Sequence, residues 1–156
     1  MKIYLDTCAL NRLTDDQSQP RIRAEAQAVE RILDLVTAGE IHWIASSAMR
    51  AELQRNPNAA KREVSIALLA FASEFAEPGN STYQRALSLA TEGYGPFDAL
   101  HLALAEDAHA DSLLTVDDRL IVRAARTRAN RLPSVLNPLD WLQRRSTWHL
   151  PPRSTR

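Results

Sequence analysis

Short apolar segments of strand composition alternate along this chain with longer segments of helical periodicity, and no other feature restricts the fold as much. The predicted strands cover residues 2–5, 41–45, 112–116 and 133–136. Strands that alternate with helices assemble into a mostly parallel sheet with helices on its faces. We therefore expect a three-layer α/β/α fold around a central, mostly parallel sheet of about four to five strands.

Apolar residues recur at helical spacing between these strands. Ile22, Val29 and Val36 share such a stripe within residues 18–38, and Gly39 follows as a helix stop. The other predicted helices cover residues 46–55, 59–76, 80–92, 96–110 and 117–129, with a short helix opened by Asn137 and Pro138. A chain of 156 residues suits one domain. We expect that domain over residues 1–145, followed by a basic, proline-containing, flexible tail over residues 146–156.

The composition excludes several classes of protein. The hydrophobic fraction of 45% and the charged fraction of 24% are ordinary for a globular domain, which argues against disorder. Cys8 is the only cysteine, so neither a disulfide scaffold nor a cysteine-based zinc site is expected. No apolar run approaches the roughly 18 residues of a membrane span. Residues 1–15 show no signal-peptide pattern, and we expect a cytoplasmic protein without membrane contact.

The charges are unevenly distributed along the chain, although 19 basic and 19 acidic residues give a net charge of zero. Residues 119–156 contain nine arginines and a single acid, Asp140, whereas residues 1–118 contain 10 bases and 18 acids. An acidic site beside a basic surface for nucleic acid would give this pattern. A solvated acidic face followed by a basic tail would give it equally well.

Four acidic residues follow strands or begin helices in the predicted fold. Asp6 ends the first strand, and Asp117 ends the strand after Thr115. Asp98 falls in the first turn of the helix opened by Pro96, and Glu52 lies one to two turns into the helix after the second strand. The helix dipole would explain Asp98 alone. It does not explain four acids that parallel strands bring to one edge of the sheet, where α/β folds bind their ligands.

Carboxylates that converge in a cleft repel one another and resist ionising together, so they need a cation or shared protons. Hard oxygen ligands without a cysteine or histidine cluster favour Mg²⁺ or Mn²⁺. Such an ion can polarise a phosphoryl oxygen and lower the pKa of bound water. The acidic cluster therefore fits phosphodiester hydrolysis.

Four motifs together resemble the PIN domain over about residues 1–140. They are IYLDT at 3–7, AEL at 51–53, FDALHLA at 97–103 and LTVD at 114–117. The nearest group is the VapC-type toxins, which are ribonucleases of bacterial toxin–antitoxin pairs. The resemblance implies a Mg²⁺- or Mn²⁺-dependent endoribonuclease that hydrolyses RNA with an activated water and leaves a 3′ hydroxyl and a 5′ phosphate. It also implies a homodimer and a cognate antitoxin protein.

The resemblance assigns a role to each of the four acids as catalytic residues. Asp6 and Asp98 are expected to hold the main metal. Asp117 is expected to complete its ligand shell or to hold a second ion, and Glu52 is expected to act through water or to orient the attacking water.

Two hydroxyl residues and one thiol accompany these acids. Thr7 and Thr115 match family positions whose hydroxyl groups orient the carboxylates. Cys8 stands where the family more commonly has Ser or Asn.

Residues around the cluster have both a structural and a functional interpretation. Arg12 and Arg119 are candidates for substrate contact at the mouth of the cleft. Arg123 and Arg126 extend a basic stripe that could either bind RNA phosphates or form a solvated face. His101 follows Asp98 by three residues, and we favour core packing over a catalytic role for it.

Asp118 is expected to cap the helix that follows Asp117, because adjacent side chains diverge at a strand-to-helix turn. Asp117 would then remain the metal ligand.

Other functions fit the sequence less well. An aspartyl phosphatase needs a second acid two residues after the first, where this chain has Cys8. A nucleotide-binding fold needs a glycine-rich turn after the first strand, which is absent from the sequence. The remaining alternative is a non-catalytic PIN-like module that binds RNA or protein, and the presence of all four acids argues against it.

Overall fold

The computed structural model describes residues 1–127 and 132–148. The strands of this part are β1 (Lys2–Leu5), β2 (His42–Ser46), β3 (Glu74–Ala76), β4 (Ser112–Leu114) and β5 (Ser134–Leu136). The helices are α1 (Thr7–Asn11), α2 (Pro20–Thr37), α3 (Ser47–Gln54), α4 (Ala59–Leu68), α5 (Asn80–Thr91), α6 (Pro96–Asp107), α7 (Asp118–Arg126) and α8 (Pro138–Trp148), and a short 3-10 helix covers Leu69–Phe71.

The strands form one five-stranded sheet in the order β3-β2-β1-β4-β5, and every neighbouring pair is parallel. The chain moves from β1 outward through β2 to β3, and then crosses back to β4 and β5 on the other side of β1. The strand order therefore reverses beside β1, and α/β sheets open a ligand crevice at such a point.

Helices cover both faces of this sheet. Successive strand residues point to opposite faces, and Ile3, Tyr4 and Leu5 are nevertheless all 0% exposed. Trp43 on β2 and Trp141 on α8 are the largest fully buried side chains of the core. The predicted α/β fold with a parallel central sheet is thus confirmed. No helix in the described ranges combines the length and the apolar character that a membrane crossing requires.

The predicted helix over residues 59–76 is wrong in its second half. Helix α4 ends at Leu68, and the chain passes through a 3-10 turn into β3. The backbone N–H of Ser73 donates to the carbonyl of Trp43 at 2.9 Å, and the Ser73 hydroxyl accepts from the backbone N–H of Trp43 at 3.2 Å. The exposed edge of β2 therefore supplies backbone partners that a continued helix would leave unpaired.

Two further differences concern short or terminal elements. Helix α1, which was not predicted, begins directly after Asp6. Helix α8 continues to Trp148, three residues past the predicted end of the domain at 145. The rest of the predicted tail, 149–156, lies outside the described residues, as do residues 128 and 129 of the predicted helix 117–129.

Candidate metal centre

Asp6 occupies the middle of the site, at the point where the strand order reverses. Its backbone N–H donates to the carbonyl of Leu114 at 2.9 Å, which continues the pairing of β1 with β4 by one residue. This pairing places Asp6 beside Thr115, and both residues are buried. The end of β1 and the end of β4 therefore contribute adjacent polar side chains at the carboxyl edge of the sheet.

Both carboxylate oxygens of Asp6 accept hydrogen bonds. Oδ1 accepts from the backbone N–H of Thr7 at 2.8 Å, so that Asp6 also caps α1. Oδ2 accepts from the Thr115 hydroxyl at 2.8 Å and from the Cys8 thiol at 3.1 Å. Burial and the charge of Asp6 raise the pKa of Cys8, which keeps the thiol protonated and able to donate. These donors hold the carboxylate in one orientation.

Glu52 reaches Asp6 from helix α3. Ser46 begins this helix by accepting the backbone N–H of Met49 at 3.2 Å, which places Glu52 in its second turn. Glu52 Oε2 accepts from the Thr7 hydroxyl at 2.7 Å and from His101 Nε2 at 2.7 Å. Burial would raise the pKa of Glu52, but these hydrogen bonds outweigh it and lower the pKa below its usual range.

Asp98 lies in the first turn of α6 and is half-buried. Burial, followed by the charges of Asp6 and Asp117, raises its pKa to about 6. An acid near a helix N-terminus would ordinarily have a lowered pKa, because the helix dipole favours its charged form. The opposite shift shows that repulsion and burial dominate, so Asp98 belongs electrostatically to the same cluster as Asp6.

Asp117 takes the capping role that was expected of Asp118, and Asp118 has a different partner. Asp117 caps α7, because its Oδ1 accepts from the backbone N–H groups of Arg119 at 2.8 Å and Leu120 at 3.3 Å. Asp118 instead forms a two-pronged ion pair with Arg21, with both distances 2.8 Å. The prediction that Asp118 caps this helix is therefore wrong. Both capping bonds of Asp117 use the same oxygen, which leaves Oδ2 for another partner.

His101 is the member of the cluster that sequence reasoning placed only in the core. It is buried as expected, but its Nε2 lies 2.7 Å from Glu52 and 3.8 Å from Asp6 Oδ1. Burial lowers the pKa of His101, but the hydrogen bond to Glu52 and the nearby carboxylates outweigh this and raise it. Its position three residues after Asp98 on one helix face was the available signal.

The donor set fits a divalent cation. Ligand atoms of Asp6, Glu52 and His101 all lie within 4.8 Å of one another. Burial and then the charges of Asp6 and Asp117 raise the pKa of Asp98, and a cation would relieve the repulsion between these charges. Carboxylate oxygens suit Mg²⁺ or Mn²⁺ better than they suit a soft metal, and His101 lies beside them as a hydrogen-bond partner of Glu52.

Two arginines that are predicted to contact substrate lie beside this cluster, and only one of them, Arg12, is held by ion pairs. Arg12 is paired with Glu25 at 2.6 Å and with Asp15 at 2.8 Å, which anchors its side chain. Arg119 is exposed, and no described side chain pairs with it. Both residues border a cavity of about 360 Å³ that also includes Asp117. The ion pair between Arg21 and Asp118 is part of the same wall, and nothing in the sequence indicated a contact between residues so far apart.

A larger groove of about 720 Å³ lies along α7 and shares Asp118 and Arg119 with this cavity. Arg119, Arg123 and Arg126 all line it, as the predicted basic stripe requires. Arg123 is partly committed to the fold, since its guanidinium donates to the carbonyl of Glu92 at 3.3 Å and packs over Tyr94. Gly93 permits this packing, because a Cβ there would lie 2.5 Å from Arg123 Nη1.

Three solved structures with VapC-type folds are similar to this one. VapBC-1 from nontypeable Haemophilus influenzae has 19% sequence identity and a TM-score of 0.57, and the alignment covers 89% of this chain and 99% of that chain. VapC20 from Mycobacterium tuberculosis, described as a toxin that cleaves the sarcin–ricin loop, has 13% identity and a TM-score of 0.57, with coverages of 84% and 99%. VapBC2 from Rickettsia felis, bound to a DNA fragment from its promoter, has 14% identity, a TM-score of 0.55 and coverages of 88% and 97%.

These likenesses concern the fold, and no curated protein is a significant match in sequence. The sequence model of the PIN domain matches residues 3–126, which includes all four predicted acids and most of the chain. Because that match covers far more than half of the sequence, this chain belongs to the PIN-domain family.

Proposed function

We propose that this protein is a Mg²⁺- or Mn²⁺-dependent endoribonuclease of the VapC type. The main support is the cluster of Asp6, Glu52 and Asp98, in which the pKa of Asp98 is raised to about 6 by burial and by its acidic neighbours. Such unrelieved repulsion is costly in a purely structural site and useful in one that binds a cation. Membership of the PIN-domain family points to the same chemistry.

Each residue of the cluster has a distinct task in this proposal. Asp6 and Asp98 would hold the main ion, and Asp117 would contribute the oxygen that does not cap α7. A bound divalent ion would polarise the phosphoryl oxygen and lower the pKa of an attacking water. Thr115 and Cys8 orient Asp6, while Thr7 orients Glu52.

Glu52 is suited to orient the attacking water. Both of its hydrogen bonds reach Oε2, and no described group donates to Oε1. That oxygen can therefore accept a hydrogen from water at the exposed side of the cluster. The lowered pKa of Glu52 keeps the carboxylate ionised and ready to accept.

The groove along α7 is the proposed path of the RNA. Arg119 and Arg126 are exposed there, and within the described ranges neither side chain pairs with an acid. Arginines in this state attract phosphates and release counterions on binding. Because the groove shares Asp118 and Arg119 with the cavity beside Asp117, RNA held in the groove would lie close to the acidic cluster.

An antitoxin partner and a homodimer are further parts of the proposal. Two of the similar structures are VapBC assemblies. Tyr83 and Leu87 on α5 are 50% and 63% exposed beside a small apolar cavity, and a partner chain would bury them. A reducing compartment such as the cytoplasm suits a chain whose one cysteine, Cys8, is free.

The test is cleavage of a pool of labelled bacterial RNAs by the purified chain, with Mg²⁺, with Mn²⁺ and with EDTA. We expect products with 5′ phosphates in the presence of either ion and none with EDTA. Asp6→Asn should remove the activity, whereas Asp34→Asn, which changes an acid whose side chain is 71% exposed, should not. Binding of RNA without cleavage under all of these conditions would support the non-catalytic alternative.

A further inference from the structure

We propose that His101, supported by Tyr4 and Ser46, is a positioning residue that holds Glu52 by one carboxylate oxygen and leaves the other free to accept from the attacking water. The consequence for catalysis rests on the proposed function. The arrangement itself rests on contacts of the metal-free protein and can be tested there.

Three hydrogen bonds run from the residue that caps helix α3 to a residue within that helix, and the helix backbone closes them into a ring. Ser46 caps α3, and its Oγ lies 2.6 Å from Tyr4 Oη. Tyr4 Oη lies 2.7 Å from His101 Nδ1, and His101 Nε2 lies 2.7 Å from Glu52 Oε2. Glu52 belongs to the helix that Ser46 begins. The ring therefore ties β1 and α6 to the helix that carries the carboxylate.

Burial makes this ring rigid and costly to leave incomplete. Tyr4 and Ser46 are 0% exposed and His101 is 1% exposed, so water cannot replace a missing partner. The Glu52 side chain, in contrast, is 34% exposed. A partly exposed glutamate would ordinarily sample several rotamers, and the fixed donors are what restrict it.

His101 donates the hydrogen bond that it shares with Glu52, as the donor and acceptor capacities of the two groups require. An ionised carboxylate only accepts, so Nε2 must carry the hydrogen. In a neutral ring Nδ1 accepts from Tyr4, and Tyr4 accepts from Ser46. In a protonated ring Nδ1 donates to Tyr4, and Tyr4 donates to Ser46. Both hydroxyl groups can turn to suit either case, so Nε2–H stays directed at Glu52 in both.

Two donors on one oxygen restrict the carboxylate and leave its other oxygen available. Thr7 and His101 both donate to Oε2. No described group donates to Oε1, which therefore remains able to accept from water. Thr7 alone would leave the carboxylate free to rotate about its bond to the chain. Loss of such an outer contact typically lowers metal affinity or activity about 10–100-fold.

The experiment compares His101→Leu, His101→Gln and Tyr4→Phe with the wild-type chain. His101→Leu should lower kcat about 10–100-fold with little change in KM, because the RNA is held by the distant arginines. His101→Gln retains an N–H donor and should recover most of that loss. Tyr4→Phe leaves the imidazole without its partner and should give an intermediate kcat. Mn²⁺ affinity, measured by electron paramagnetic resonance, should follow the same order.

Two results would overturn the inference. One is a His101→Leu protein that turns over like the wild type. The other is a set of variants that differ only in unfolding midpoint, with unchanged kcat and Mn²⁺ affinity, which would make the ring purely structural. Tyr4→Phe preserves the test if both His101 variants fail to fold.

Long-range ¹H–¹⁵N spectra of the metal-free wild-type protein separate this inference from the proposed function. They should show a hydrogen on Nε2 of His101 that exchanges slowly with water. A ring protonated at Nδ1 alone would refute the positioning role, whether or not the protein cleaves RNA. A chain with the expected Nε2–H that neither binds Mn²⁺ nor cleaves RNA would refute the proposed function instead.

Discussion

Replacing Asp98 by asparagine should stabilise the metal-free protein while removing its activity. The carboxylate is half-buried near Asp6 and Asp117, and its pKa is raised from 3.8 to about 6. A raised pKa means that the folded state disfavours the charged form. At neutral pH, where the group is ionised in both states, folding therefore bears a free-energy cost from this charge. A neutral amide of the same size avoids it.

The magnitude follows from the size of the shift. A rise from 3.8 to about 6 corresponds to at most about 3 kcal/mol, since one pKa unit is worth about 1.4 kcal/mol, and solvent screening reduces this value for a carboxylate that is only half-buried. Between these two pH values the folded state binds more protons than the unfolded state, so stability falls as pH rises. The full cost is present above pH 6 and is absent well below pH 4. Asp98→Asn should therefore add about 1–2 kcal/mol at pH 7.5 and much less at pH 4.

Urea denaturation in EDTA at several pH values measures this difference. Asp34→Asn serves as the control, because that acid is on the surface and outside the cluster. We expect Asp98→Asn to raise the midpoint at pH 7.5 and to flatten the profile between pH 4 and 6. A variant that is destabilised at pH 7.5, or that keeps the wild-type profile, would show that Asp98 is not under electrostatic strain.

Three other substitutions test separate parts of the structure. Glu25→Gln removes a buried carboxylate that accepts from Arg12 and Arg21, and should lower the unfolding free energy by about 2–3 kcal/mol. A decrease of less than about 0.5 kcal/mol in urea denaturation would contradict the view that Glu25 anchors these two arginines. Arg119→Ala should weaken RNA binding and reduce the salt slope by about one, measured by fluorescence anisotropy, and an unchanged slope would exclude a phosphate contact. Cys8→Ala removes a donor to Asp6 and should lower Mn²⁺ affinity up to about tenfold, whereas Cys8→Ser should keep the wild-type affinity. Equal Mn²⁺ affinities of Cys8→Ala and the wild type in calorimetry would contradict the orienting role of the thiol.

Periodicity and strand composition were sufficient to predict the sheet because its inner strands are apolar and bounded by helices. Strand β3 escaped prediction for a physical reason. Val64, Leu68, Phe71 and Phe75 continue the helical spacing, while the three residues of β3 carry no apolar alternation of their own. The open edge of β2 decides the conformation there, and local sequence does not encode it.

The acidic cluster was predictable because parallel strands bring their carboxyl ends to one edge. Individual roles within it were less predictable. Whether Asp117 or Asp118 caps α7 depends on the backbone conformation at the turn where that helix begins. The partner of Asp118 lies 97 residues away on α2. The contact of His101 with Glu52 likewise depends on how α3 packs against α6, which no spacing within either helix specifies.

Anomalous diffraction from crystals grown with Mn²⁺ would locate the cation itself. We predict a strong peak within about 2.2 Å of carboxylate oxygens of Asp6 and Asp98, with Glu52 and Asp117 around it, directly or through water. A well-ordered crystal with no peak at this edge of the sheet, or with Mn²⁺ bound only elsewhere on the protein, would contradict this prediction.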